Sequence, residues 1–590
     1  MSPVSTPANQ TSARTRHGLT VLLAALALAV SLGTARAQTP EITITGAGEE
    51  ARENISAHLS IAREDCALPE WRERPLLRRA EVETREALRA LGYYRPEVEL
   101  EFVRTDDCWR LTLDVVQGDP VTVRRVDITL DGEAAGDEAF QTLIQDPPIR
   151  EGDRLRHDRY EQLRNALTRL AADRGYLDNR IITRELRIHA EQGYADVVIH
   201  MDSGIRYRFG AVTLDQDILD PGYIGKFLPF REGDLYDSRK LIDLQQSLVD
   251  GGYYTDVRVR TETEARADGH VPVRVTLTPR KKFAYMAGIG ASTDIGPRLR
   301  LGFEHRYANR AGHRYNAEME LSPVRSGVGF NYEIPLDDPS RERINLMARY
   351  QTEDTDTVRS DLYGIGISHT RQHDSGWIET RSLTYEREDY TVADVTDRTD
   401  LLMPGLSFTR VRADHPVTPR RGWRLYGSVR GASEEVVSSV SFVQVHGRAK
   451  LIMPLGPGRL LTRAEGGATE ANQLIDLPSS VRFFAGGDNS VRGYGYQKLG
   501  PVNADGDVIG GRHLFTASAE YEIPIVGRWR AAAFMDWGNA YDRIDDFDPK
   551  MGVGVGVRWI SPIGPIRVDI AHPIDGDDNF RLHLTMGADL

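Results

Sequence analysis

The residues best suited to chemistry in this 590-residue chain sit in one long connection. Between strands ending near Phe484 and starting near His513 runs Ala485-Gly486-Gly487-Asp488-Asn489-Ser490-Val491-Arg492-Gly493-Tyr494-Gly495-Tyr496, and the stretch continues to Gly511. A connection of that length is either functional or disordered. Val491, Arg492, Gly493 and Tyr494 set a guanidinium and aromatic surface among glycines. That composition suits a segment folded back into a lumen, where the guanidinium pairs with a wall carboxylate. Asp536 is the candidate partner by parity. Trp529, Ala531, Ala533, Met535 and Trp537 form one apolar face, so Arg530, Asp536 and Gly538 lie on the other. Glu520 and Glu522 on the preceding strand are rivals, and a solvated surface loop is the competing reading.

Covalent chemistry has no comparable foothold. The chain contains no Gly-x-Ser-x-Gly, Walker A or His-Glu-x-x-His motif, so neither a catalytic residue nor a metal or cofactor is expected. Its only cysteines are Cys66 and Cys108. Arg14, Arg16 and His17 precede the apolar run Val21 to Val30, and Ala35-Arg36-Ala37 offers a small-x-small cleavage site, so residues 1–37 read as a signal peptide. Export places both cysteines where disulfides persist, and a Cys66–Cys108 bridge is the expectation. Without the three arginines of that leader the formal charge moves from −13 to about −16, which makes nucleic acid an improbable partner.

The elements that must position the loop follow from periodicity. From about Lys282 the pattern alternates strictly. Tyr315, Ala317, Met319 and Leu321 alternate with Asn316, Glu318 and Glu320, and Val553, Val555, Val557 and Trp559 alternate with Gly552, Gly554, Gly556 and Arg558. One apolar and one wet face suit a lipid-facing barrel. A soluble β-sandwich is the rival, but residues 282–590 number 309, more than a sandwich uses. Sixteen spans of roughly 10 residues, with turns and loops, fit that length.

Ahead of the barrel a unit of about 80 residues repeats three times. Gly92-Tyr93, Gly175-Tyr176 and Gly252-Tyr253 stand 83 and 77 residues apart, and Arg150-Glu151-Gly152-Asp153 recurs as Arg231-Glu232-Gly233-Asp234. Each unit reads strand, helix, helix, strand, strand, a small α+β domain. The expected divisions are 38–118, 119–204 and 205–281 for the repeats and 282–590 for the barrel.

Phe483 to Tyr496 with its Val-Arg-Gly-Tyr core, Phe534-Met535-Asp536-Trp537-Gly538, and Gly552 to Trp559 followed by Ser561-Pro562-Ile563-Gly564-Pro565 resemble the outer-membrane insertase superfamily that includes BamA. The repeats resemble its POTRA domains. Three repeats and the run Ala485 to Tyr494 are most similar to the TamA branch, the outer-membrane subunits of translocation and assembly modules. The resemblance implies an assembly factor in the Gram-negative outer membrane, with periplasmic repeats and unfolded β-barrel clients such as autotransporters. It also implies an inner-membrane-anchored TamB-like partner on the first repeat. Arg492 would plug the lumen against Asp536 while the seam between first and last strands opens laterally. The candidate first strand, Phe283 to Ser292, offers Tyr285 and Ala287 outward and contains Gly288 and Gly290. The candidate last strand, Phe580 to Met586, offers Leu582 and Leu584 opposite them and ends at Gly587. One departure from that family's pattern is the non-aromatic residue Leu590 in place of a terminal aromatic. A two-partner secretion transporter and a passive porin with a periplasmic scaffold are the alternatives.

Overall fold

The computed structural model describes residues 39–105, 108–562, 564–575, 580–587 and 589; the expected signal peptide lies outside them. The described chain forms two compact units, divided after Tyr207. In the first, one repeat comprises β1 (Glu41–Thr45), α1 (Glu49–His58), α2 (Glu70–Ala90), β2 (Glu97–Arg104) and β3 (Trp109–Val116). β3 is central, parallel to β1 and antiparallel to β2, and Leu111 and Leu113 alternate into a core closed by Ile55 and Leu88. Cys66 and Cys108 form a disulfide that ties the segment before α2 to the start of β3.

The second repeat has the same order: β4 (Thr122–Asp131), α3 (Glu138–Gln145), α4 (His157–Arg174), β5 (Arg180–His189) and β6 (Tyr194–Asp202), with β6 central. Leu163, Leu167 and Ala171 recur every four residues and form the buried stripe of α4. Gly175, at φ +85°, ends that helix in the left-handed region.

The second unit begins with the third repeat: β7 (Arg208–Asp215), the short α5 (Pro221–Gly225), α6 (Ser238–Asp250), β8 (Tyr254–Thr261) and β9 (His270–Pro279). Here Gly251 keeps a right-handed conformation and Gly252, at φ +78°, makes the left-handed step. The recurring Arg-Glu-Gly-Asp turn now has a physical cause. Asp153 and Asp234 each accept the N–H of the arginine three residues earlier, at 2.8 and 3.0 Å. Gly152 and Gly233, both at φ +88°, donate to the opening strand at Val123 and Phe209.

Sixteen strands then form one antiparallel sheet in chain order. They are β10 (Phe283–Ser292), β11 (Gly296–His305), β12 (Arg314–Leu321), β13 (Arg325–Pro335), β14 (Glu342–Asp354), β15 (Val358–Gln372), β16 (Ile378–Val392) and β17 (Val395–Ala413). They continue as β18 (Gly422–Ala432), β19 (Phe442–Leu455), β20 (Gly458–Ala471), β21 (His513–Val526), β22 (Trp529–Tyr541), β23 (Lys550–Ser561), β24 (Gly564–Pro573) and β25 (Arg581–Met586). Phe580 falls just outside the last strand. Apolar side chains such as Ile365, Val445, Met535 and Val555 are exposed on the outer wall, while Arg300 and Glu320 pair on the inner one. This alternation inverts that of a soluble barrel and rules out the sandwich.

The third repeat is fastened to the near end of the barrel, at the turn between β11 and β12. Tyr253 donates its hydroxyl to the Gly312 carbonyl at 2.5 Å, and Arg310 pairs with Asp220 at 2.9 Å.

Candidate functional site

The connection between β20 and β21 enters the barrel and seats on the inner wall of β21–β24. Arg492 is 5% exposed. Its Nε and Nη2 donate to Asp536 Oδ2 and Oδ1 at 2.7 and 3.0 Å, a two-pronged contact that fixes the guanidinium plane. Nη1 donates to Glu520 Oε2 at 2.8 Å and Asp569 Oδ2 at 3.0 Å, and the backbone N–H reaches Asp536 Oδ2 at 3.0 Å. The guanidinium carbon lies 3.4 Å from the Phe534 ring centroid, close enough for cation–π attraction.

Three carboxylates around one guanidinium would repel one another. Arg558, fully buried, offsets them by donating to Glu520 Oε1 at 2.7 and 3.0 Å and pairing with Asp569. Arg463 adds a contact to Asp536 at 3.5 Å. Of the two rivals named from the sequence, Glu520 joins the site with Asp536. Glu522 does not touch Arg492 and instead pairs with Arg459 at 2.7 Å and Arg530 at 3.2 Å. Buried charges persist only when paired in this way.

The loop's neighbouring residues explain its composition. Val491 is fully buried in an apolar cluster with Phe483, Ala485, Leu499, Leu514 and Ala540. Tyr494 packs on that cluster and donates to the Met551 carbonyl at 3.4 Å. Gly493 adopts φ +98°, and a Cβ there would come within 2.9 Å of Pro573 N. The inward glycines of β23 serve the same seat. A Cβ on Gly552 would lie 1.8 Å from the Arg492 carbonyl oxygen, and one on Gly554 would lie 2.4 Å from the Phe534 ring. Phe534, Arg558 and Asp569 are site residues that sequence reading missed. The alternate glycines of β23 carried the signal, since glycine in a strand marks close approach. Beside the seated loop the lumen keeps a cavity of ≈ 930 Å³, whose walls include Arg424, Tyr426, Lys450 and Glu465.

β10 and β25 stand at the two ends of the sheet, and among the described residues no ladder joins them. Thr293 N–H donates to the Leu584 carbonyl at 3.3 Å, and Leu584 N–H donates to Thr293 Oγ1 at 3.3 Å, at the far end of the barrel. Tyr285 is 79% exposed and Ala287 is exposed with it, whereas Gly288 and Gly290 fall on the inward parity. Leu582 is exposed, Leu584 half-buried, and Gly587 takes φ +155° immediately after β25. This register corrects one expectation. With Thr293 opposite Leu584, the antiparallel pairing sets Ala291 opposite Met586, so Leu582 and Leu584 do not oppose Tyr285 or Ala287. Among the described residues no strand pairs with those two on that side of β10.

Asp294, Asp488 and His583 form the one cluster among the described residues with metal-ligating types and spacing. Burial, reinforced by the Asp488 carboxylate, pushes Asp294 up to about 6. Hydrogen bonding disfavours a metal there. Gly493 N–H donates to His583 Nε2 at 3.0 Å, so the ring hydrogen sits on Nδ1 and faces Asp488 Oδ1 at 2.6 Å. Freeing Nδ1 for a cation would put that hydrogen on Nε2, against the Gly493 N–H.

A β-barrel with an interior ionic seat, preceded by α+β repeats, is the class of protein that fold and site define. Residues 309–589 match the family model described as the Omp85 superfamily domain. Residues 41–117 match POTRA domain TamA domain 1, and 121–204 match a POTRA model described as a surface antigen variable number repeat. The chain therefore carries an Omp85 superfamily domain behind POTRA domains, the first of TamA type, and is an outer-membrane β-barrel protein with its repeats on the periplasmic side. It is 24% identical over 371 residues to outer membrane protein assembly factor BamA of Nitratidesulfovibrio vulgaris, covering 58% of this chain and 46% of that protein. BamA of Neorickettsia risticii is 22% identical over 447 residues, covering 69% and 58%. The chain thus spans about half the length of the curated relatives it matches. Among solved structures, BamA from Haemophilus ducreyi lacking POTRA domains 1–3 superposes with a TM-score of 0.66 at 17% identity, covering 79% of this chain and 99% of that one, a likeness of fold.

Proposed function

We propose that this chain assembles outer-membrane proteins, with the edge of β10 accepting the strands of unfolded β-barrel clients. The observation that carries this reading is the unladdered seam. From Phe283 to Gly290 the backbone of β10 has no partner strand on its outer edge among the described residues. Backbone groups left unpaired in a bilayer cost several kcal/mol each, roughly. An incoming strand relieves that cost by β-augmentation, and pockets between alternate side chains then set its register. The POTRA domains supply docking surfaces, and the TamA-type first repeat supports a TamB-like inner-membrane-anchored partner on that repeat. Autotransporter barrels are the client class this reading favours.

The test pins the seam at its own register. Ala291→Cys with Met586→Cys places two cysteines on facing lipid-side positions, where a disulfide forms only if the strands are together. Client assembly is measured in vesicles with the bridge oxidised and again after reduction. Assembly blocked by the bridge and restored by reduction is the expected result. A passive pore conducts along its lumen and is indifferent to the staple, so equal assembly in both states, with bridging verified on gels, sinks the lateral route.

A further inference from the structure

We propose that Asp488 is the keystone of the seam: one loop carboxylate holds the first hairpin and the last strand together, so that seating the loop and closing the barrel are a single equilibrium. The inference deepens the reading of β10 and β25 as a gate and rests on it.

Asp488 is 5% exposed and reaches both sides of the seam. On the β10 side its Oδ1 accepts from Thr293 Oγ1 at 2.6 Å, its Oδ2 from Asp294 N at 3.4 Å, and its own N–H donates to Asp294 Oδ2 at 2.7 Å. On the β25 side Oδ1 accepts from His583 Nδ1 at 2.6 Å. His583, 1% exposed, is gripped from its other nitrogen by Gly493 N–H. The last strand is therefore held by two loop residues flanking Arg492, and the first hairpin by one of the same two.

The direct link between the strands is weak by comparison. Both of its hydrogen bonds are 3.3 Å long, and one depends on Asp488. Thr293 spends its hydroxyl hydrogen on Asp488, which turns an oxygen lone pair toward Leu584 N–H. Take the carboxylate away and that hydroxyl is free to rotate, while His583 loses its Nδ1 partner. Lifting the loop out of the lumen has the same consequence. Conversely, the strands cannot part without one side releasing Asp488. Hydrogen bonds to an ionised group are the strong ones, so the shared carboxylate dominates closure.

Nitroxide labels on Ala291→Cys and Met586→Cys in lipid vesicles report the gap directly. Closed strands give strong dipolar broadening, and parted strands lose it. Asp488→Ala should raise the ratio of open to closed seam by about tenfold, the factor that one lost charge-assisted hydrogen bond carries. Unchanged broadening in a folded Asp488→Ala barrel overturns the proposal. If that variant gives no heat-modifiable band, His583→Phe decides instead. It leaves the direct Thr293–Leu584 link in place and removes the hold of the loop on β25, so an increase in the open fraction supports the keystone and no increase overturns it. Client assembly is a separate readout. A seam that opens in Asp488→Ala while the oxidised staple leaves assembly untouched keeps the keystone and rejects the gate reading.

Discussion

Removing the Arg492 guanidinium would leave Asp536, Glu520 and Asp569 crowded in a nearly dry wall with Arg558 and Arg463 alone to balance them. Losing one partner of a buried ionic contact costs about 3–5 kcal/mol, because the remaining charges keep their burial and lose their compensation. Arg492→Ala is therefore expected to unseat the loop while the barrel ladders stay intact. Heat-modifiable migration on gels should persist, client assembly should fall, and the backbone N–H groups of residues 492 and 493, bonded to Asp536 and His583 in the parent, should lose their protection from hydrogen exchange. Equal protection in parent and variant would show that the seat does not depend on this side chain. At this scale the sequence was informative where a single strand decided the matter. Parity along Trp529 to Trp537 was enough to turn Asp536 inward. Asp569 and Arg558 were hidden because the pairing of Asp569 with Arg492, and of Arg558 with Glu520 and Asp569, depends on how separate strands register around the wall, which no local pattern encodes.

The strand β23 shows how an element can be shaped by something it does not contain. Its alternation of glycine with valine was legible as a strand with one bare face, and the face is bare because the loop backbone lies against it. Adding a methyl group at Gly552 would put a carbon 1.8 Å from the Arg492 carbonyl oxygen, a clash with backbone that no side-chain rotation relieves. Gly552→Ala is expected to displace the loop at a cost of about 1–3 kcal/mol, the usual range for overpacking. Hydrogen exchange at Val491 to Tyr494 measures it, and protection equal to that of the parent would refute the close approach. Helices and strands of the repeats were readable from leucine spacing and from the Gly-Tyr marks, and two solitary cysteines in an exported chain left one bridge to draw. The register of β10 against β25 was not readable. Hairpin partners are fixed by short turns, but the closing pair of a barrel is fixed by the stagger accumulated over all the other strands.

At the scale of the second unit, the third repeat and the barrel are joined through a glycine in a turn. Gly312 sits at φ +77°, and a Cβ on it would lie 2.4 Å from the Tyr223 ring. Tyr223 and Tyr253 share a hydroxyl hydrogen bond of 2.9 Å in the core of the repeat, and Tyr253 passes its own hydrogen to the Gly312 carbonyl. Arg314, the first residue of β12, reaches back to the Gly251 carbonyl at 3.3 Å and holds Glu333 on the next strand at 2.5 Å. The repeat's aromatic core and the first two hairpins of the barrel are thus joined by a continuous chain of contacts. Gly312→Val introduces both a disfavoured backbone conformation and a clash with a buried ring, so the repeat should lift from the turn while each part stays folded. Hydrogen exchange at 219–228 and 250–255 should rise, with barrel strands from β15 onward unchanged. If lifting the repeat also alters dipolar broadening between labels on Ala291→Cys and Met586→Cys, the junction acts on the seam. Broadening that stays constant while the repeat swings free would confine Gly312 to anchoring alone.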